Sequence, residues 1–162
     1  MIKHYRELSR NKLTQRGVLI EDIAALVYDL QKEYCPNLTI DDCIESINLV
    51  LDKREVAFAV LTGIEIDVAA ENNAFHEIND VINDDYSLYG IDEILALSIV
   101  NVHGSIALTN FGYLDKEKPG IIGKLQQESD KKCHTFLDDI VCAIASSAAS
   151  RIAHDYEEKT SN

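Results

Sequence analysis

The stretch Phe136-Leu137-Asp138-Asp139-Ile140-Val141-Cys142-Ala143-Ile144-Ala145-Ser146-Ser147-Ala148-Ala149 puts two adjacent carboxylates at the entry of a run that is otherwise small and apolar. A helix start accepts one acid easily, because its free N–H groups and dipole favour negative charge. The second is harder to place, since the residues after it offer almost no polar face. An ionised carboxylate held near a core needs a metal or a cation. Asp92-Glu93, followed by Ile94-Leu95-Ala96-Leu97, repeats the arrangement.

Outward from that run, the chain reads as helix throughout. Its 162 residues suit one domain, residues 1–162, with a real core, and 46% are hydrophobic. Two prolines and seven glycines are too few for the turns of a β-sandwich or barrel. Ala, Leu, Glu, Lys and Ile dominate, so the expected class is all-α, with about six or seven helices in one globular bundle.

The expected helices follow the apolar spacing. The first runs from Ile2 to Gln15 and ends at Gly17. The second runs from Ile20 to Tyr34 and ends at Pro36-Asn37. Thr39, with Asp42 three residues on, reads as an N-cap for the third. A fourth spans about Glu55 to Asn73, its stripe Val56, Val60, Ile64 continuing through Asp67 and Glu71. That stripe either turns two carboxylates inward or drifts to the surface near the helix end. The segment from Asn72 to Gly90 is largely irregular, with a short helix around Ala74 to Ile82. A buried helix from Ile91 to about Gly112 or Tyr113 comes next, with Asn101 and His103 inside it and Gly104 allowing a close neighbour. Pro119 opens a short helix, Ser129 to Thr135 form a loop, and Phe136 to Glu157 form the last helix. The tail from Lys159 to Asn162 is expected to fray.

A net charge of −13 and a pI near 4.6 exclude nucleic acid, which demands clustered Lys and Arg, and oppose simple electrostatic docking on anionic lipid. No apolar run is long and uninterrupted enough to span a membrane, and the first residues lack the apolar core of a signal peptide. Cys35, Cys43, Cys133 and Cys142 form no C-x-x-C pair, so reduced, partly buried thiols in a cytoplasmic chain are expected. Cys133-His134 offers only weak spacing for zinc. The chain has no G-x-S-x-G, no Walker A run, no G-x-G-x-x-G and no H-E-x-x-H.

The carboxylates carry the remaining signal. Asp92, Glu93, Asp115, Asp138 and Asp139 are candidate ligands, with Asp67 and Glu71 in reserve. Oxygen donors of this kind suit Mg²⁺, which is held by a few carboxylates together with waters and substrate phosphate. Adjacent acids on a helix point about 100° apart, so one can face a shared ion while its neighbour does something else. The simpler reading of both pairs is a solvated helix cap without metal. Lys118, three residues after Asp115, could meet a phosphate as a point charge. His103 falls on the line of Asp92, Ala96 and Ile99, as a supporting residue behind the ligands or a core histidine, with Asn101 beside it.

These motifs resemble those of the phosphatidylglycerophosphatase A family. Ile91-Asp92-Glu93-Ile94-Leu95-Ala96, Leu114-Asp115-Lys116-Glu117-Lys118-Pro119 and Leu137-Asp138-Asp139-Ile140-Val141-Cys142-Ala143 resemble three of its segments, in the same order. The likeness is greatest to a soluble branch from Gram-positive bacteria, related to the low temperature requirement C protein. It implies a bundle with one central helix surrounded by others. It further implies Mg²⁺-dependent hydrolysis of the terminal phosphate monoester of phosphatidylglycerophosphate, giving phosphatidylglycerol. Asp92, Glu93, Asp115, Asp138 and Asp139 would bind Mg²⁺ or activate water, and Lys118 would neutralise the phosphate. Asp92, Asp139 and Lys118 are the expected catalytic set. The substrate would be met at the membrane surface, by a chain peripheral to it. Four features depart from the enzyme branch: the glycine-rich segment near its start is reduced to Gln15-Arg16-Gly17-Val18-Leu19-Ile20-Glu21, membrane-spanning helices are missing, Cys142-Ala143 lacks the family's glycine, and Ser129 to Thr135 lacks its glycine-rich approach. The alternative they favour is a non-catalytic homologue that keeps a metal or ligand pocket and works through a partner or a homo-oligomer.

Overall fold

Every residue from Cys133 to Ser150 is buried, and this run forms the axis around which the other helices assemble. In the computed structural model, which describes residues 1–128 and 132–160 (backbone only at 159–160), nine helices are found among the described residues. They are α1 (Ile2–Gln15), α2 (Ile20–Gln31), α3 (Ile40–Leu51), α4 (Arg54–Glu71), α5 (Asn79–Asn83), α6 (Ile91–Val100), α7 (Gly104–Glu117), α8 (Ile121–Gln127) and α9 (Leu137–Thr160). Helix α9 packs against α2, α3, α6 and α7, with α4 and α8 reaching it at fewer points. The apolar first part of α9, to Ser150, is the expected centre of such a bundle, because no face of it is left for water. Burying a large side chain there, such as Phe136 or Leu137, contributes about 2 kcal/mol.

Two buried serines bond across the bundle. Ser46 donates its hydroxyl to the Ala148 carbonyl at 2.9 Å, and Ser150 donates to the His103 carbonyl at 2.8 Å. Each bond gives a buried serine hydroxyl the partner it would otherwise lack in a dry interface. The thiols of Cys35, Cys43, Cys133 and Cys142 are free and buried.

Local signals account for most boundaries. Thr39 caps α3, accepting from the Asp42 N–H at 3.2 Å while Asp42 accepts from the Thr39 N–H at 2.9 Å. Gly17 takes φ +87° just after α1, a conformation that costs glycine little. Helix α2 stops at Gln31, three residues before the expected end. The larger correction falls between Ile91 and Tyr113. One helix was expected, and the chain instead breaks at Asn101–His103 because Gly104 adopts φ +81°, which a continuous helix cannot contain. The close approach expected at Gly104 occurs at Gly63 of α4. A Cβ there would meet Ile140 Cδ1 and lie 3.2 Å from Phe136 Cβ, whereas Gly104 has open space. Residues 129–131 of the expected loop and residues 161–162 of the expected frayed tail lie outside the described residues. No helix among the described residues is long and apolar enough to cross a membrane.

Candidate active site

Two helix starts and one helix end deliver acids to the same place. Asp138 and Asp139 lie in the first turn of α9, Asp92 and Glu93 in the first turn of α6, and Asp115 in the last turn of α7. Lys118 ends α7 in the left-handed region, φ +45°. The segment between α5 and α6 wraps over them, with Asp85 and Leu88 at positive φ and Gly90, at φ +74°, capping α6. Tyr89 anchors that segment by meeting the buried Phe136 ring edge to face at 6.0 Å. The result is a cavity of about 310 Å³ whose lining includes Asp85, Asp92, Glu93, Asp115, Asp138 and Asp139. Among the described residues, Lys118 is the one cation that lines it.

The electrostatics follow from that imbalance. The Lys118 ammonium lies 3.1 Å from Asp138 Oδ2 and 3.2 Å from Asp115 Oδ1. The carboxylates outweigh its burial and raise its pKa, so it stays charged. Asp138 is 4% exposed, and burial pushes its carboxyl up to about 6 despite the lysine. The ion pair thus holds the lysine's proton firmly without fully offsetting the burial of its partner. Asp139, 3% exposed, is pushed up by burial and then by Asp138, Asp115 and Asp92. Asp92 is pushed up too, mainly by burial, and its Oδ1 is buried with no hydrogen-bond partner among the described residues.

This donor set fits a hard divalent cation. Its free donors are carboxylate oxygens, one of them orphaned, and they carry more negative charge than Lys118 offsets. Among the described residues no three His, Cys, Asp or Glu side chains already close on one point. The carboxylates line the cavity without closing on one point.

The reserve residues do something different. Asp67 is wholly buried, so the α4 stripe points inward, but not at the cavity. Its carboxylate accepts the N–H of Phe136 at 2.9 Å and of Leu137 at 3.0 Å, capping α9 from outside that helix. Glu71 accepts the Cys133 N–H at 2.9 Å and pairs with Arg16 at 2.5 Å. Asn101 and His103 sit in the link between α6 and α7 and do not line the cavity. The weak zinc reading of Cys133 and His134 fails as well: the thiol meets Asp67, Thr135 and the Ile82 carbonyl, and the imidazole faces Arg16.

The role of Asp85 and the pairing of Arg16 with His134 escaped the sequence reading. Asp85 read as one polar residue among many in an irregular stretch, and only its left-handed backbone brings it to the cavity. Arg16 and His134 form a buried pair 118 positions apart, which no local spacing could reveal. The one available signal was a lone arginine where the enzyme branch has its glycine-rich segment.

Known proteins share this fold and much of this sequence. The uncharacterized protein YutG of Bacillus subtilis is 56% identical over 147 residues, covering 90% of this chain and 89% of that protein. The crystal structure of ypjQ from Bacillus subtilis superposes with a TM-score of 0.93 at 52% identity, over 98% of both chains. That of the low temperature requirement C protein from Listeria monocytogenes gives 0.93 at 52%, over 97% of this chain and 99% of that one. Residues 10–154 match the family described as phosphatidylglycerophosphatase A, and the chain belongs to that family.

Proposed function

We propose that this chain is a Mg²⁺-dependent phosphatase that removes the terminal phosphate monoester of phosphatidylglycerophosphate. The observation that carries the reading is the convergence of Asp92, Glu93, Asp115, Asp138 and Asp139 on one cavity with Lys118. Asp92 and Asp139 are the residues best suited to hold the cation, with Glu93, Asp115 and Asp138 around them. When bound, Mg²⁺ supplies polarisation of the phosphoryl oxygens.

The chain's own residues do the rest. Lys118, fixed between Asp115 and Asp138, presents a positive charge to the phosphate without needing to be ordered on binding. Burial and the neighbouring acids raise Asp139 and keep it protonated until a cation offsets them, so its carboxylate would become available as a ligand or a base only in the loaded site. The cap from Asp67 fixes the start of α9, and with it the positions of Asp138 and Asp139. The acidic surface makes apolar or headgroup-specific contact the route to a membrane, since net charge opposes anionic lipid.

The test is phosphate release from phosphatidylglycerophosphate micelles by purified protein, with Mg²⁺ and with EDTA. Release should need the metal, and Asp139→Asn should reduce it by roughly a hundredfold or more. Release no greater than the enzyme-free blank would overturn the catalytic reading and leave a binding homologue.

A further inference from the structure

Leu88 helps to line the carboxylate cavity, yet its side chain stands almost wholly in water, 99% exposed. The Tyr89 N–H donates to the Tyr86 carbonyl at 3.0 Å, so Tyr86–Tyr89 is a tight turn with Leu88 at its third position. Leu88 takes φ +66° there. A left-handed third position calls for glycine, because a Cβ is strained in it. A leucine in this place weakens the fold in two ways: it strains the turn, and its side chain gains nothing from the core. The turn is nonetheless held firmly. The Tyr86 N–H donates to the Val81 carbonyl at 3.0 Å, and Tyr89 packs on Phe136. Strain kept on a fixed base beside a cavity points to a use outside the fold.

Leu88 is not alone. Tyr86, on the same turn, is exposed. Ile91 and Ile94, three apart in the first turns of α6 and so on one face of it, are exposed as well, Ile94 at 63%. Four side chains are far short of the about 20–30 residues a side that a stable protein interface uses. That area argues against a second copy of the chain or another protein as the occupant. It suits shallow insertion into a lipid interface, whose strength follows the apolar area buried. Charge agrees with apolar insertion. Asp84, Asp85 and Glu93 flank the edge in sequence and are exposed, so headgroup attraction to anionic lipid does not hold it there.

We propose that Tyr86, Leu88, Ile91 and Ile94 form an edge that inserts into the outer acyl layer of a lipid bilayer and sets the mouth of the carboxylate cavity against it. This rests on the phosphatase reading for why lipid is met at this mouth, but docking can be measured without turnover.

The chain contains no tryptophan, so Leu88→Trp and Ile94→Trp each introduce a single reporter. Each full-length variant is mixed, in EDTA, with vesicles of phosphatidylcholine and of phosphatidylcholine with phosphatidylglycerol. Emission should move to the blue with both and be quenched by lipids brominated high on the acyl chain. Binding to the anionic vesicles should strengthen as salt rises, because the flanking acids are screened. In vesicle flotation Leu88→Asn should bind roughly tenfold more weakly than the parent, the scale of one buried leucine side chain. Leu88→Gly should lose as much while its Tm holds or rises, since glycine relieves the turn. That pairing separates docking from a structural role. Reporters that ignore vesicles, or variants that float as well as the parent, overturn the edge. A blue shift that needs no lipid and grows with protein concentration assigns these residues to a second copy and overturns it too. A lipid-dependent shift in a protein that releases no phosphate from phosphatidylglycerophosphate micelles upholds the edge and overturns the phosphatase reading. Phosphate release with unmoved reporters does the reverse.

Discussion

The carboxylate of Asp67, in the middle of α4, accepts the backbone N–H of Leu137, the first residue of α9, at 3.0 Å across 70 positions of sequence. With the Phe136 N–H at 2.9 Å on its other oxygen, it serves two donors that have no partner inside the helix. Removing it leaves two buried N–H groups unsatisfied next to the candidate catalytic pair. Asp67→Ala should therefore lower stability by about 2–4 kcal/mol, read from the urea midpoint at unchanged m. Asp67→Asn, which can still accept one of the two bonds, should cost about half of that. Equal stability of both variants with the parent would show that water replaces the cap.

Arg16 invites a similar test with a different logic. Its guanidinium is almost buried and serves Glu71, the Cys133 carbonyl and His134 together. Breaking a buried pair from one side costs more than removing both partners, because an uncompensated charge is left behind. Arg16→Met should lose about 3–5 kcal/mol, whereas Arg16→Met combined with Glu71→Leu should recover part of that loss. A double-mutant cycle in chemical denaturation reads the coupling directly, and simple additivity would contradict the network.

Gly63 shows what was and was not legible in the sequence. The apolar stripe of α4 was visible, and so were the caps at Thr39 and Gly17, the all-helical class and the acid pairs at the starts of α6 and α9. All of these are local patterns. The sequence does not say which glycine lies against which neighbour. Gly104 looked like the close-approach residue and proved to be a break, while Gly63 meets Ile140 and Phe136 of the central run. Asp85 needed a left-handed backbone to reach the cavity, and Asp67 and Arg16 needed partners far along the chain. Such facts depend on tertiary contact, and periodicity carries no record of it.

The same contact makes a prediction. A methyl group on Gly63 collides with the end of the Ile140 side chain, which is wholly buried and has little room to move. Gly63→Ala should lose about 1–3 kcal/mol through overpacking, although alanine alone favours a helix by about 1 kcal/mol. Shortening the neighbour with Ile140→Val in the same chain should restore most of the loss. Thermal unfolding of the single and double variants distinguishes this from a cost at Gly63 alone, in which case Ile140→Val would make matters worse.

His103 sets a pH dependence. Burial, then Lys53 and Arg151, push its imidazole down to about 4, with Glu55 opposing. The unfolded chain takes up a proton near 6.5, and the folded one resists until about 4. Stability from this group is therefore fully present above 6.5 and is lost as pH falls from there to about 4. The half-buried setting limits the loss to about 2 kcal/mol. In His103→Asn the slope of stability against pH over that window should be visibly shallower. An unchanged slope would assign the acid sensitivity elsewhere, with His134, also pushed down to about 4, as the next group to examine.

Asp139 ties stability to the candidate chemistry. It is 3% exposed and sits beside Asp138, Asp115 and Asp92, with Lys118 engaged at 3.1 Å by Asp138 and 3.2 Å by Asp115. Without a divalent cation, burial and the neighbouring acids force Asp139 to take up a proton on folding, and replacing the acid removes that cost. In EDTA, Asp139→Asn should be more stable than the parent by about 1–3 kcal/mol, as expected where a functional group is retained at the expense of stability. Excess Mg²⁺ should stabilise the parent in proportion to RT ln(1 + [Mg²⁺]/Kd) and leave the variant almost unmoved, narrowing or reversing the gap. Urea denaturation of both proteins with EDTA and with Mg²⁺ gives all four values. If the cation shifted parent and variant equally, Asp139 would not be among its ligands, and the centre would have to be rebuilt around Asp92 and Asp115.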